Sequence, residues 1–394
     1  MSTMFFLPSQ HHDNSWLLAE GIESTFIRKL ADQSDWRALN LWLEQNKTWR
    51  FGWISYNAGH TMPNINLEKD QRSSFPQIFF FVPQNLALLK DGEKSMLKGT
   101  WKDEYNVWFD KNYTEENISL KPETSHEDYL RAVENIMSHI QYGDIYEMNY
   151  CQIFSAQEKI RNPISIWKKL YTLTEAPHAV YAQHEHWHVL SASPERYIAK
   201  KGDRVISQPI KGTIKRGENE KQDLAQKNKL LSSQKERSEN VMIVDLVRND
   251  LSRIAKRGSV QVDELFGVHT FKTVHHLIST ISCQVDDHIS FTQILEDTFP
   301  MGSMTGAPKI SAMKIAQQYE QSGRDLYSGT IGYLTPDGDF DFNVVIRSIL
   351  YDESLPRISV GVGGAITSGC TPDQEYEECL LKAKALLKAL SMTS

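Results

Sequence analysis

The sequence predicts an α+β fold of antiparallel strands packed with flanking helices, on three observations. Short aromatic runs such as WRFGWISY (49–56) and PQIFFFVP (76–83) read as strands separated by polar, turn-forming stretches. Stretches of helical spacing lie between such runs; His126 to Tyr142 carries apolar residues at Tyr129, Val133, Ile136, Met137 and Ile140. The strands come in adjacent pairs between long helices, unlike the regular β–α–β alternation of a parallel sheet.

Taken in order, residues 1 to about 120 form a sheet-rich N-terminal region, and the polar segment Lys111 to Glu123 reads as a linker into residues 121–394. After the helix at 126–142, GDIYEMNYCQIF (143–154) is a strand. AVYAQHEHWHVLSAS (179–193) and ERYIAKKGDRVISQPI (195–210) read as a strand pair joined by turn-prone residues. Asn219 to Arg257 is a long, mostly helical stretch. A helix near Ser290 to Phe299, a glycine-rich turn and a helix from Lys309 to Gln321 follow. Strands at Gly329–Leu334 and Phe340–Tyr351 then lead into VGVGGAI (360–366) and a final helix. That helix is signposted by Thr371 as N-cap, Pro372 at its first position and Gln374 completing a capping box.

Composition excludes several classes. The 394 residues carry a net charge of −7 with both signs interspersed, which argues against nucleic acid as a partner. No apolar run approaches the roughly 18 residues that suggest a membrane span. The start, MSTMFFLPSQHH, lacks the basic, apolar and small-residue segments of a secretory signal. Cys151, Cys283, Cys370 and Cys379 are scattered, form no CxxC pair and read as reduced thiols of a cytoplasmic protein. Asn112 and Asn117 begin N-x-S/T triplets that have no meaning without secretion.

Four constellations bear on chemistry. Glu236 and Glu239, and again Glu375 and Glu378, are three apart on predicted helices, so each pair shares a helix face. Four carboxylates on two facing helices suit Mg²⁺, although by spacing alone such pairs are more often a solvated helix face. PMGSMTGAPK (300–309) lies at a helix mouth and fits an anion cradle or a tight connection; it lacks the Walker pattern. VGVGGAITSG (360–369) is no dinucleotide fingerprint, since its last glycine and the βαβ context are missing. In QPIKGTIKRG (208–217), Lys211 sits between a strand and Gly212, a place where a lysine is either a surface charge or a desolvated nucleophile. HEHWH (184–188) fits one face of an exposed strand and reads as structural, because no second cluster supplies the missing ligands. His275 and His276 are adjacent, so at most one of them faces a given site.

The order of the motifs is more specific than any one of them. ASPER (192–196), PIKGT (209–213), ENVMIVDLVRNDL (239–251), VHHLIST (274–280), GSMTGAPK (302–309), YSGTIGYL (327–334), VVIRS (344–348), VGVGGAI (360–366) and EYEECLLKA (375–383) together resemble the chorismate-utilising enzymes. These are component I of anthranilate and aminodeoxychorismate synthases, and the isochorismate and salicylate synthases. The resemblance covers about residues 120 to 390 and implies the anthranilate synthase component I-like fold. It makes residues 121–394 the chorismate-binding catalytic domain and residues 1–120 the first part of the same fold.

By position, the resemblance implies Glu239 and Glu378 as Mg²⁺ ligands, with Glu236 and Glu375 joining directly or through water. Mg²⁺ would hold the ring carboxylate of chorismate. Tyr327, Arg347 and the Gly363 backbone would hold the enolpyruvyl carboxylate, with Thr305, Gly306 and Lys382 as further substrate contacts and His276 as the active-site histidine. PIKGT has lysine where anthranilate synthases have alanine, and so resembles the aminodeoxychorismate synthases of para-aminobenzoate and folate synthesis. In that chemistry Lys211 attacks C2 of the ring, Glu195 protonates the departing C4 hydroxyl, and ammonia enters at C4 and displaces the lysine. Anthranilate synthase is the alternative, followed by isochorismate or salicylate synthase.

One departure stands out: Glu147 occupies the place of a glutamine in amino-transferring relatives and of a water-activating lysine in isochorismate and salicylate synthases. The chain shows no glutamine-hydrolysing region, so a separate glutamine amidotransferase subunit is expected to supply ammonia. No pyruvate-eliminating lyase is fused, and the LLES stretch of tryptophan-inhibited relatives is missing, so no feedback inhibition by tryptophan is expected.

Overall fold

The computed structural model describes residues 3–9, 15–68, 72–90, 93–100 and 113–391; Lys111 and Asn112, in the stretch read as a linker and a triplet, lie outside them. Among the described residues the strands form two antiparallel sheets, one of 11 strands and one of 10. Eight helices accompany them: α1 (Gln33–Gln45), α2 (His126–Tyr142), α3 (Pro163–Thr174), α4 (Glu220–Ser232), α5 (Gln234–Ser252), α6 (Phe291–Thr298), α7 (Lys309–Tyr319) and α8 (Pro372–Leu390). No helix among the described residues is long and apolar enough to cross a membrane.

Strand alternation sets the layers. In Thr3–Ser9, Phe5 and Leu7 face the second sheet, whereas Phe6 turns outward to meet Trp167 of α3. The inter-sheet core contains Phe5, Leu17, Trp53, Phe79, Val189 and Tyr333, and Phe5 stacks on Trp53 of the opposite sheet at 5.7 Å. Apolar faces of α2, α3 and α8 cover the outside of the first sheet. Those of α1, α5 and α6 cover the outside of the second. Early strands complete both sheets: Thr3–Ser9 pairs with His178–His184, and Arg50–Ile54 pairs with Thr330–Leu334.

Several predicted elements resolve into finer ones. The two runs at 179–193 and 195–210 are each a hairpin, not two members of a pair, and they belong to different sheets. HEHWH therefore spans a hairpin turn between His178–His184 and Trp187–Ser193, with His184 and His188 buried. Asn219–Arg257 is two helices, broken at Ser233, which caps α5. Phe340–Tyr351 is interrupted at Val345–Arg347, where the chain leaves one sheet for the other. The hairpin Gln261–Thr270 and Val274–Gln284 carried no clear strand signal, because its first strand is largely exposed and mixed in polarity. Thr371 and Pro372 open α8 as expected, but the Thr371 side chain makes no capping hydrogen bond, so the capping box through Gln374 is not formed. All four cysteines are buried and unpaired.

Two sheet crossings lie side by side. Pro194 and Glu195 carry the chain from Trp187–Ser193 to Arg196–Lys201, and Val345 to Arg347 carry it back from Phe340–Val344 to Ser348–Asp352. The crossings are tied together by Val344 N to Glu195 O at 3.0 Å, Ala192 N to Arg347 O at 3.1 Å and Ser193 Oγ to Val344 O at 2.6 Å. Arg347 has φ +52°, a left-handed conformation that a regular strand does not allow.

Candidate active site

These crossings open on a cavity of about 1070 Å³. Its wall includes Glu195, Lys211, Glu236, Glu239, His276, Tyr327, Arg347, Gly363, Glu375, Glu378 and Lys382, so eleven of the thirteen predicted site residues come together. Thr305 and Gly306 do not reach it. The Thr305 hydroxyl donates to the Met301 and Gly302 carbonyls, and its own carbonyl accepts from Asn149 N. Gly306 and Ala307 pair as a short strand with Met148 and Glu147. The loop 300–309 is thus a connection pinned to a strand rather than an open anion cradle; its Ser303 and Met304 face the cavity.

Lys211 sits at an irregularity in the sheet. The strand Ile210–Lys215 changes register against Val274–Gln284 between Ile210 and Thr213, and Gly212 has φ +96°. A Cβ at Gly212 would lie 3.0 Å from Glu236 Oε2 and 3.2 Å from Leu277 Cβ, so the glycine lets α5 close on the bulge. Glu195 is 4% exposed, and burial raises its carboxyl to about 7, against the opposing pull of the Ser303 hydrogen bond and of Lys211. His276 is buried too. Burial, and then the charge of Arg347, lowers it to about 3, so it is a neutral ring, with Nδ1 2.8 Å from Thr213 Oγ1.

Glycines at 361–364 let three layers meet. A Cβ on Gly361 would fall 2.2 Å from Tyr327 Cγ, and one on Gly364 would fall 2.7 Å from Glu375 Oε2. The Gly363 carbonyl accepts from Lys382 Nζ at 2.7 Å, which fixes α8 against its strand. Arg347 donates to the Lys382 carbonyl at 3.2 Å. These contacts put a guanidinium, a phenol and an ammonium around one side of the cavity, the donor set that a carboxylate needs.

The four glutamates also line the cavity, two from α5 and two from α8, and Lys382 is ion-paired with Glu378. Glu375 is raised to about 7 by burial and then by the charge of Glu378; Glu236 is raised by burial and then by Glu239. On Glu378 burial acts upward, but Lys382 outweighs it and holds the carboxyl low. Lys235, 3.9 Å from Glu239, is the cation that faces all four. Glu375 Oε2 is buried without a hydrogen-bond partner. The side chains as placed do not converge into a three-ligand cluster, and no such group occurs among the described residues. Their chemistry nevertheless fits a hard divalent cation, since an orphaned carboxylate oxygen amid mutually repelling carboxylates is what such an ion satisfies.

The sequence reading missed the brace behind this wall. Arg324 is fully buried and donates to Met304 O at 2.6 Å, Asn149 O at 2.8 Å and both carboxylate oxygens of Glu320, while Glu320 also accepts from Cys151 N at 3.0 Å. One ion pair thereby holds the loop 300–309 to the strand carrying Asn149. Its only sequence signal is an Arg four residues after a Glu, which a solvated helix face shows as often.

A cavity lined by Arg347, Tyr327, Lys382, four glutamates and the pair Glu195 and Lys211 has the lining of an enzyme site suited to a small anion. The chain belongs to the chorismate binding enzyme family, whose model matches residues 8–388. It is 31% identical over 363 residues to aminodeoxychorismate synthase component 1 of Bacillus subtilis, covering 87% of this chain and 77% of that one. It is 41% identical over 263 residues to aminodeoxychorismate synthase of Streptomyces pristinaespiralis, covering 66% of this chain but 36% of that longer protein. Anthranilate synthase component 1 of Aquifex aeolicus is 34% identical over 266 residues, covering 68% of this chain and 53% of that one. The fold matches that of anthranilate synthase component I from Streptococcus pneumoniae, with a TM-score of 0.82 at 23% identity over 97% of this chain and 95% of that one.

Proposed function

We propose that this chain is component 1 of an aminodeoxychorismate synthase, converting chorismate and ammonia to 4-amino-4-deoxychorismate. The observation that carries the reading is the placement of Lys211 and Glu195 on one cavity wall, with Arg347 and Tyr327 beside them. The Bacillus subtilis relative described above bears the same activity in its name.

Arg347 and Tyr327 hold the enolpyruvyl carboxylate and orient the ring between Lys211 and the glutamates. Lys211 Nζ forms a bond to C2 as the C4–O bond breaks. The leaving hydroxyl takes the proton of Glu195, and the ring double bonds shift between the two carbons. A carboxyl raised to about 7 still holds that proton near neutral pH. Ammonia then bonds to C4 and the C2–N bond breaks, returning its electron pair to Lys211. His276, neutral, donates or accepts a hydrogen bond without adding charge.

Glu239 and Glu378, with Glu236 and Glu375 beside them, are the residues that would hold Mg²⁺. When bound, Mg²⁺ neutralises the carboxylates and anchors the ring carboxylate of the substrate. The ammonia donor in this reading is a glutamine amidotransferase subunit, in a cytoplasmic setting that suits four unpaired buried thiols.

The test is to incubate the protein with chorismate, Mg²⁺ and ammonium and identify the product by mass spectrometry and NMR. Amination at C4 with the enolpyruvyl group retained supports the reading. Anthranilate, isochorismate or salicylate as the product would overturn it.

A further inference from the structure

The proposed reaction leaves four cations on the cavity wall without a part. Lys215, Lys229, Lys384 and Lys388 line the cavity and are at the same time exposed, so they stand where it opens. None of the four makes an ion pair among the described residues. Arg216 and Lys235, also on the wall, are held by Asp223 at 2.7 Å and by Glu239 at 3.9 Å. The carboxylates of the wall are Glu195 and the four glutamates, all of them buried or half-buried. Nothing acidic on the wall therefore offsets the lysines at the mouth, although the whole chain carries a net charge of −7.

Three elements repeat one pattern. On α8 the wall residues Glu378, Leu381, Ala385 and Lys388 follow helical spacing, and this stripe runs from carboxylate to ammonium over about 15 Å at about 1.5 Å per residue. On the strand Ile210–Lys215, Lys215 lies up to about 13 Å of extended chain beyond Lys211. On α4, Lys229 precedes Glu236 across the helix break at Ser233. Each element leads outward from a residue of the site to an exposed lysine, with Phe271, Leu381 and Ala385 as apolar wall.

We propose that Lys215, Lys229, Lys384 and Lys388 form a basic entry field that captures the dianionic substrate and draws it inward. The inference rests on the reading above only in taking chorismate, a dicarboxylate, as the substrate. At such a distance a lysine acts through its field and not by a hydrogen bond, and apolar walls concentrate that field in the opening. Four unit charges acting on a dianion at about 15 Å in water give about a fivefold gain at an ionic strength of about 0.03 M, and almost none at about 0.5 M.

The measurement is kcat/KM for chorismate, with Mg²⁺ and ammonium chloride fixed and sodium chloride raising the ionic strength between those about 0.03 M and about 0.5 M limits. The quadruple variant Lys215→Gln, Lys229→Gln, Lys384→Gln, Lys388→Gln should fall about fivefold below wild type at low salt and come within about 1.5-fold at high salt, with kcat within about twofold throughout. A second quadruple variant, Lys47→Gln, Lys159→Gln, Lys201→Gln, Lys314→Gln, removes as many exposed charges away from the cavity wall and should track wild type. Equal kcat/KM for the cavity variant and wild type at low salt overturns the inference. So does a deficit that salt leaves unchanged, the mark of direct contacts, or one that the second variant shares, the mark of net charge. No partner subunit is present, so lysines that only dock an acidic partner leave kcat/KM unchanged. If the cavity variant does not fold, Lys384→Gln with Lys388→Gln decides: about a twofold deficit at low salt that vanishes at high salt supports the proposal, and no deficit overturns it. Any product of chorismate serves as the readout; wild-type protein that consumes none overturns the substrate reading, and this inference with it.

Discussion

Two carboxyls of the cavity, Glu195 and Glu375, are both held near 7, and for different reasons. Glu195 lies at a sheet crossing, where burial alone pushes it up and its hydrogen bond to Ser303 and the charge of Lys211 pull it back. Glu375 lies on α8, where burial is reinforced by Glu378 and by Glu239 of α5. The first is a carboxyl whose burial favours its protonated form, which suits the proton donor of the proposed reaction. The second is a carboxylate raised by its neighbours, and a cation would reverse the effect. In the proposed reaction Glu195 and Lys211 serve proton and group transfer, and the four glutamates serve charge.

The largest effect follows from breaking the group-transfer pair. Lys211→Ala is expected to lower C4 amination by on the order of 10³-fold or more, the scale of losing a nucleophile. The variant keeps all four glutamates and loses a cation that acts on Glu236 and Glu378, so its Mg²⁺-induced thermal stabilisation should be at least that of wild type. Product analysis and a melting scan with and without Mg²⁺ check both halves. Unchanged amination would remove Lys211 from the mechanism.

The two sets of residues also differ in how far they were legible. The four glutamates announced themselves by i, i+3 spacing, because helix geometry converts sequence spacing into a shared face. Glu195, Lys211 and Arg347 carry no such local signal: each sits where a strand breaks its pattern, at a crossing or a bulge. Phe340–Tyr351 read as one strand because strand-forming Val344, Val345 and Ile346 carry the run on, although the alternation from Phe340 ends at Val344, where the first strand stops. Lys211 stands out only as a lysine between a strand and Gly212, and it takes the order of motifs along the chain to give it, Glu195 and Arg347 their roles. Arg324 stayed hidden for a further reason: its partners Met304 O and Asn149 O are backbone atoms, which sequence does not distinguish.

A smaller effect separates the causes of the two shifts, beginning with Glu195. Its folded value is raised, so the folded protein holds a proton that the unfolded chain releases above its ordinary value of 4.5. Stability therefore falls as pH rises from 4.5 to about 7 and stays lower beyond that. Glu195→Gln mimics the protonated form and removes the penalty. The variant should be more stable than wild type near pH 8 by up to about 3 kcal/mol, with the gap closing toward about pH 5. Its turnover should drop by about 10²- to 10⁴-fold, the worth of a general acid. Urea midpoints at both pH values test the first claim; a gap independent of pH would rule out burial as the cause.

The smallest effect lies among the four glutamates and runs in opposite directions with and without metal. Glu375 is also raised, so without Mg²⁺ its ionisation above 4.5 costs stability, partly through repulsion from Glu378. Glu375→Gln removes a buried charge and one of the mutually repelling ones, and its metal-free melting temperature near pH 8 should rise. Adding Mg²⁺ should stabilise wild type more than the variant, since binding to the folded state shifts the melt in proportion to affinity. The order of the two proteins then narrows or inverts. Glu195→Gln, whose shift owes nothing to like charges, should show the full Mg²⁺ response. If Mg²⁺ stabilises Glu375→Gln and wild type equally, Glu375 is a buried carboxyl of the Glu195 kind and the two carboxyls are not distinct.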